Sequence, residues 1–412
     1  MYRVVIAGAG TGSMTFCGQL IRSGKVKPSE IAVFDPAPYH YYQPGFTMLA
    51  GGLMGDVDRL SHQMKYVARE TRSLFHPDVN FISKPVTGFF PNSNKIGVDG
   101  SEISYEHLVV GIGLSIDYNK IPGLYEALED ENSPVGTIYQ YKYCLKTNRL
   151  VNKFKGGQAI FTQPNQPFKC GGAPQKIMYL ANSVWNKTGV RDKTDIHFYI
   201  PPAQIFGVQT YAQELEKIAK EKGCNVHYQH LLTKVDPTRN EATFKKGTEE
   251  MIVKYDFLHT APPQGAPKVL QGSPISNEAG YVDVNPNTLR HNKYGNIWAI
   301  GDCTSCPTSK TAAAAIGEAP VLVHNLGKVL DGAEPNAKYE GYTSCPIFLG
   351  DNKLMLCEFK YQGQPDETFG NQNTPSSLAY YLVKTFLPRV YFTLLPKGVW
   401  YGRNSIFKPK FE

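Results

Sequence analysis

The first thirteen residues constrain the chain more than anything that follows. Met1-Tyr2-Arg3 leads into the apolar run Val4-Val5-Ile6-Ala7 and then into Gly8-Ala9-Gly10-Thr11-Gly12-Ser13. Residues 3–8 read as a buried strand, and a helix is expected over roughly residues 13–23. Strand, glycine-rich turn and helix in immediate succession form the arrangement that binds a dinucleotide. The glycines permit the tight turn and let a diphosphate approach the backbone N–H groups at the helix start. Ser13 stands where the third glycine of GxGxxG would be, and its side chain is small enough to pack closely. A second apolar strand, Ile31-Ala32-Val33-Phe34, ends in Asp35, where an acidic side chain can hold a ribose hydroxyl.

Three later stretches favour FAD over a free nicotinamide cofactor. Residues 78–87 look like a strand, with Val86 placed where backbone could reach an adenine. The strand Leu108-Val109-Val110 runs into Gly111-Ile112-Gly113. Tyr294 begins an apolar strand that ends in Gly301-Asp302, followed by a turn and a helix over 311–317. A flavin needs a carboxylate for its ribitol hydroxyls and a helix N-terminus at its pyrimidine edge, where the positive helix end stabilises the anionic reduced ring. The paired signals place both parts in one FAD domain, residues 1–150 plus 275–345, with a second domain, 151–274, inserted between. A length of 412 residues accommodates two or three domains.

The second domain opens as the first does, with a strand at 157–162, but no glycine fingerprint follows. Gln163-Pro-Asn-Gln-Pro-Phe-Lys-Cys170-Gly-Gly-Ala-Pro-Gln-Lys176 stands in its place. Helix 177–185 and strand 195–200 complete a Rossmann-like unit whose phosphate loop has been rebuilt. NAD(P)H is therefore not expected to bind there, and Cys170 stands at the mouth where another electron donor would act.

Eight cysteines are too few for a disulfide scaffold but leave room for redox chemistry. Cys170 precedes a helix start, a position that favours the thiolate. Cys345 lies in Tyr342-Thr-Ser-Cys345-Pro346, after the helix that follows Gly301-Asp302. Cys303 and Cys306 form a C-x-x-C, yet they follow a pair that would face the cofactor's ribityl chain rather than its ring. Cys17, Cys144, Cys224 and Cys357 read as small buried hydrophobes. No His/Cys cluster has zinc spacing, and no metal is expected.

A formal net charge of +7 is mild and unblocked, which argues against a nucleic-acid partner. No signal peptide or transmembrane helix is expected. The C-terminal region, 346–412, differs in character. From Ser376 to Trp400 it is dense in Tyr, Phe and Leu and broken by Lys384, Pro388, Arg389, Pro396 and Lys397. Two short amphipathic helices lying in a membrane interface suit that composition. A tail packed on the body, or in a dimer interface, is the other reading.

Taken together, these motifs resemble one family, the sulfide:quinone oxidoreductases of the mitochondrial (type II) kind. The resemblance spans nearly the whole chain and is carried by five blocks in order. They are His40-Tyr-Tyr-Gln-Pro44, Cys170 through Leu180, Gly301-Asp-Cys-Thr304, Pro307 through Ala314 and Gly341 through Pro346. It implies two tandem Rossmann-like domains of the disulfide-reductase-like flavoprotein kind, an α/β fold, with a C-terminal amphipathic membrane-binding segment. It implies that Cys170 and Cys345 are catalytic, as a redox disulfide or trisulfide. FAD contacts fall on Gly8, Gly10, Thr11, Gly12, Asp35, Gln43, Val86, Gly301, Asp302 and Lys310. Cys144 sits near where some relatives carry a third cysteine, but in different surroundings, so FAD is expected to be non-covalent. The implied partners are sulfide, a quinone (ubiquinone), a small sulfur acceptor such as glutathione or sulfite, and a membrane surface met through 376–412. A homodimer is left open. The implied location is the mitochondrial inner membrane, peripherally, or a plasma membrane in a prokaryote. Lys176, Lys310 and Lys384 are candidates for positive potential that draws anions.

Overall fold

The computed structural model describes residues 1–55, 57–59 and 64–411. Strand β1 (Tyr2–Ala7) ends at the glycine loop, and helix α1 (Thr11–Arg22) starts two residues earlier than the sequence suggests. The strands β2 (Ile31–Phe34), β3 (Asn80–Ile82), β4 (Val86–Phe90), β5 (Lys95–Val98) and β6 (Ser101–Val110) complete most of the first sheet, in the order β3-β2-β1-β6-β5-β4. The single strand expected at 78–87 is thus two: β3 pairs parallel with β2, and β4 pairs antiparallel with β5. Val4, Val5 and Ile6 are fully buried, as are Leu108, Val109 and Val110 beside them. Such continuous apolar runs are what a parallel strand covered on both faces requires.

A second, five-stranded parallel sheet has its own core. Its strands are β7 (Val135–Gly136), β8 (Gly157–Thr162), β9 (Thr194–Ile200), β10 (Cys224–Tyr228) and later β14 (Phe257–His259), in the order β7-β14-β8-β9-β10. Helix α2 (Ala173–Thr188) crosses from β8 to β9, and α3 (Gln209–Glu221) from β9 to β10. Trp185, Phe161 and Phe257 pack together in that core in tilted and edge-to-face contacts, with Phe198 also buried there. Strands β11 (Leu231–Asp236), β12 (Glu241–Lys246) and β13 (Glu249–Lys254) form an antiparallel meander on this unit.

The chain then returns. Strand β15 (Ile297–Ala299) pairs parallel with β6 of the first sheet, and the long helix α4 (Ala312–Leu330) packs on α1. A hairpin of β16 (Thr343–Gly350) and β17 (Lys353–Phe359) leads to the C-terminal helices α5 (Ser377–Tyr381) and α6 (Leu387–Thr393), joined by a π turn over Leu382–Phe386. Pro388, which has no N–H to donate, sits in the first turn of α6 immediately after the π turn. Among the described residues no helix is long and apolar enough to cross a membrane.

Ser13 shows why the fingerprint departs from pattern. It is fully buried, and a Cβ on Gly111 would lie 2.2 Å from its Oγ. The space that relatives of the pattern provide with a glycine on the helix is provided here by a glycine at the end of β6. Gly111→Ala is expected to destabilise the protein, and adding Ser13→Gly should restore most of the lost melting temperature. A double variant no more stable than Gly111→Ala alone would contradict this coupling.

Candidate active site

The glycine loop, the Gly301-Asp302 turn and the Cys170 loop border one cavity of about 1080 Å³. Gly10, Thr11 and Gly12 line it at the N-terminus of α1, Asp302 lines it from the Gly301–Cys303 turn, and Thr311 and Ala312 line it at the N-terminus of α4. Gly8 does not line it. Its φ of +94° sets the turn, and a Cβ there would lie 2.6 Å from the Gly111 carbonyl oxygen. Asp35 lines the cavity while holding the loop: its Oδ2 accepts from the Ala9 N–H at 2.7 Å and its Oδ1 from the Ala37 N–H at 2.7 Å. Packing raises the Asp302 carboxyl pKa, and the positive charges of Lys169 and Lys310 counter that rise. Two helix N-termini, a glycine cradle and two carboxylates around one cavity match the donors and acceptors of a dinucleotide the size of FAD.

Val86 and Lys310 stand differently from the loop residues. Val86 begins β4 and is not among the residues lining the cavity. It pairs with Val98 of β5 in an antiparallel ladder, which apolar patterning cannot distinguish from a parallel one. Lys310 lines the cavity, but its ammonium is committed to the Thr304 and Cys306 carbonyls, at 2.7 and 3.2 Å. Its backbone carbonyl accepts the Cys170 N–H at 2.8 Å and so fixes the cysteine loop. Gln43 lines the cavity and its Oε1 accepts from Lys169 Nζ at 3.2 Å.

The two cysteines singled out by sequence meet. Cys170 Sγ and Cys345 Sγ lie 3.2 Å apart, although one precedes α2 and the other is in β16. Cys170 takes a left-handed backbone conformation, φ +49°, at the position where a phosphate loop would run. Buried Lys176, one turn into α2, donates from Nζ to Cys170 Sγ at 3.3 Å. The hydrogen bond from the Cys345 thiol and the nearby Lys176 ammonium outweigh burial and hold Cys170 well below its ordinary value, at about 5. Cys345 is raised for the converse reasons: its S–H donates a hydrogen bond to Cys170 and it is buried. Burial works against the Lys176 charge, but the two cysteines raise its pKa above the ordinary value. The pair is thus electrically asymmetric, with one thiolate and one thiol.

Gly172 makes the approach sterically feasible. A Cβ there would lie 2.2 Å from Ile347 Cδ1 and 2.7 Å from Cys345 Sγ. Gly172→Ala should push β16 away from Cys170 and leave two titratable thiols after mild oxidation that closes the parent pair. Complete closure in that variant would contradict this packing account.

The other cysteines are held as thiols. Burial raises Cys303 to about 11 and Cys306 to about 12, and Cys303 Sγ contacts the Val110 carbonyl at 3.4 Å. Cys144 is fully buried, and burial raises its pKa well above the ordinary value.

Sequence reasoning missed a link between the two ends of the chain. His40 is buried, with Nδ1 2.9 Å from the Ala9 carbonyl and Nε2 2.7 Å from the Tyr391 hydroxyl. That hydroxyl also meets Thr11 Oγ1 at 2.5 Å. Burial lowers the His40 pKa to about 4, so the ring bridges the glycine loop and α6 in its neutral form. The His40-Tyr-Tyr-Gln-Pro44 block was visible in the sequence; its partner 351 residues away was not.

No protein-family model matches the chain. Two relatives named mitochondrial sulfide:quinone oxidoreductase match along almost all of it. The one from Mus musculus is 38% identical over 97% of this chain and 88% of its own. The one from Schizosaccharomyces pombe is 35% identical over 100% of this chain and 93% of its own. Among solved structures, a chain in the cryo-EM structure of the Tetrahymena thermophila mitochondrial ATP synthase superposes with a TM-score of 0.83 at 21% identity, covering 97% of both chains. The sulfide:quinone oxidoreductase of Aquifex aeolicus superposes with a TM-score of 0.79 at 17% identity, covering 97% of this chain and 92% of its own. The structures agree in fold, and the identity and coverage of the two relatives decide the rest: the chain belongs to the sulfide:quinone oxidoreductase family.

Proposed function

We propose that the protein oxidises sulfide at the Cys170–Cys345 pair and passes two electrons through non-covalently held FAD to a quinone. The sulfane sulfur leaves on a small acceptor such as glutathione or sulfite. The observation that carries this reading is the juxtaposition of an asymmetric thiolate–thiol pair with the wall of a cavity built for a dinucleotide.

Within residues 1–150 plus 275–345, FAD would be held by the glycine loop, Asp35, Asp302 and the N-terminus of α4. When bound it supplies the two-electron acceptor for the thiols and the donor for quinone. The residues do the sulfur chemistry. Hydrosulfide attacks the Cys345 sulfur of the oxidised pair, forming a persulfide there and releasing Cys170 as thiolate. Lys176 favours that step because a leaving thiolate beside an ammonium leaves more readily. A nucleophilic acceptor then takes the outer sulfur, Cys345 becomes a thiolate, and two electrons leave the pair as its S–S bond re-forms. One extra bridging sulfur also suits the site. Two S–S bonds of ~2.05 Å meeting near the tetrahedral angle span about 3.3 Å, against the 3.2 Å separation of the two Sγ atoms.

Quinone would enter beneath the C-terminal helices. Leu378, Leu382 and Phe386 border the cavity and are 71%, 43% and 47% exposed, with Tyr381 exposed beside them. This apolar stripe, with Lys384 and Arg389 nearby, suits an anionic bilayer interface from which a lipid-soluble substrate is taken. Deleting 376–412 is an unsuitable test, because Tyr380, Val390, Tyr391 and Leu395 of that segment are buried in the body. The triple variant Leu378→Ser, Leu382→Ser, Phe386→Ser is the better one. It should keep FAD but lose co-flotation with anionic liposomes; undiminished flotation would contradict the membrane assignment.

The activity is tested with purified, FAD-loaded protein, sulfide, sulfite and a short-chain ubiquinone analogue. Sulfide-dependent quinone reduction with matching thiosulfate formation is expected. Quinone that stays oxidised would overturn the proposal.

A further inference from the structure

Strand β13 (Glu249–Lys254) is a free edge of the three-stranded meander. Among the described residues its one strand neighbour is β12, and five of its six residues are exposed. An open edge carries unpaired N–H and C=O groups that invite another strand. The ladder shows which groups these are. Lys246 and Glu249 face each other across the two-residue turn Gly247-Thr248, and the Tyr255 N–H donates to the Asn240 carbonyl at 2.9 Å. Hydrogen-bonded pairs alternate along an antiparallel ladder, so the odd-numbered residues of β13 exchange bonds with β12. Glu250, Ile252 and Lys254 therefore turn their backbone groups to the open edge.

The side chains of those three residues share one face of the strand. It is the face away from the core, because Met251 and Val253 stand opposite the buried Phe244 and Ala242 on the other side. Ile252 is 63% exposed, an isolated apolar side chain with a carboxylate two residues before it and an ammonium two residues after. Within the meander, Lys245 Nζ pairs with Glu250 at 3.0 Å, and Glu241 stands opposite Lys254. The edge is thus self-complementary when read in opposite directions: acid, Ile252, base meets base, Ile252, acid.

We propose that β13 docks a second copy of this chain, edge to edge and antiparallel, about a two-fold axis at Ile252. In that register Ile252 meets the partner's Ile252, Glu250 meets the partner's Lys254, and Lys254 meets the partner's Glu250. Each outward-turned residue then lies opposite another outward-turned residue, so their N–H and C=O groups pair across the joint. Charges alternate across four strands, from Glu241 through Lys254 and the partner's Glu250 to the partner's Lys245. On the other face Met251, 40% exposed, meets the partner's Val253. A slip of one residue sets outward groups against groups already bonded to β12. A slip of two sets Glu250 against Ile252 or Asp256, and the charge match is lost. One strand pair is a small interface, so the dimer should form in a concentration-dependent equilibrium.

Sedimentation of the FAD-loaded protein over a concentration series, without lipid, tests this. The parent should pass from monomer to dimer as concentration rises. Lys254→Glu sets carboxylate against carboxylate at both ends of the joint, and Glu250→Lys sets ammonium against ammonium. Each variant alone should dimerise about 10-fold or more weakly than the parent. Mixed in equal amounts, the two restore opposite charges at both ends and should form a heterodimer with close to the parent's affinity. Ile252→Pro removes an N–H that β12 does not use, so the meander should persist while the dimer is lost. All three variants should keep the parent's FAD content, because β13 does not line the cofactor cavity. A parent that stays monomeric at every concentration would overturn the proposal. So would dimerisation undiminished in the two charge variants, or charge variants that fail to pair when mixed.

Discussion

Cys345→Ser should lose sulfide-dependent quinone reduction by about 10³-fold or more while binding FAD as the parent does. The loss follows because a hydroxyl forms neither the disulfide that hydrosulfide attacks nor the persulfide that holds the sulfane sulfur. Retention of FAD follows from position. Cys345 faces the core of the second sheet and does not line the cofactor cavity, so exchanging its sulfur for oxygen leaves the cradle intact. Cys170→Ser should be equally inactive. The two variants should differ in the partner left behind. In Cys345→Ser, Cys170 keeps its contact with Lys176 and remains a reactive thiolate, although less acidic without the hydrogen bond from Cys345. In Cys170→Ser, the buried Cys345 loses its acceptor thiolate and should resist alkylation. Either variant retaining parental turnover would remove that cysteine from the mechanism.

The second large effect is expected at Lys176. In the reduced protein Cys170 is depressed to about 5, so it is a thiolate at neutral pH. Lys176→Met removes the ammonium 3.3 Å from its sulfur and should raise the midpoint of Cys170 alkylation by about 1–3 pH units. Each unit corresponds to about 1.4 kcal/mol. The sign follows from charge. The cation favours the ionised form, so its loss moves ionisation to higher pH, and thiolate is lost first on the acid side of neutrality. Sulfide reduction of the flavin should slow in parallel because Cys170 becomes a poorer leaving group. Lys176→Arg, which keeps the charge, should shift the midpoint less. An unchanged alkylation profile in Lys176→Met would show that the lysine does not govern the thiolate.

These expectations rest partly on what the sequence made legible. The glycine loop, the strand at 157–162 and the missing second fingerprint could be read directly, because each depends on neighbours within one turn or strand. Cys170 stood out because it replaced part of an expected loop. Its pairing with Cys345 is a tertiary event that the sequence suggested only through resemblance, and the structure brings the sulfurs within 3.2 Å. Lys176 was one of several lysines until α2 brought its ammonium onto Cys170. The split of 78–87 into two strands was missed because a short apolar run carries no mark of which strand it will pair with. The His40–Tyr391 link and the exchange of Ser13 for Gly111 each depend on partners distant in the chain. The C-terminal stretch was read as an amphipathic helical segment. The structure gives α5, a π turn and α6, with one apolar stripe exposed and the opposite side packed on the glycine loop.

The central claim is that electrons enter from sulfide through the cysteine pair rather than from a nicotinamide at the second Rossmann-like unit. Anaerobic addition of sulfide or of NADH to separate samples of the FAD-loaded protein, followed by flavin absorbance, tests it most directly. The account predicts that sulfide bleaches the flavin and NADH leaves it oxidised; a flavin that NADH bleaches and sulfide does not would contradict it.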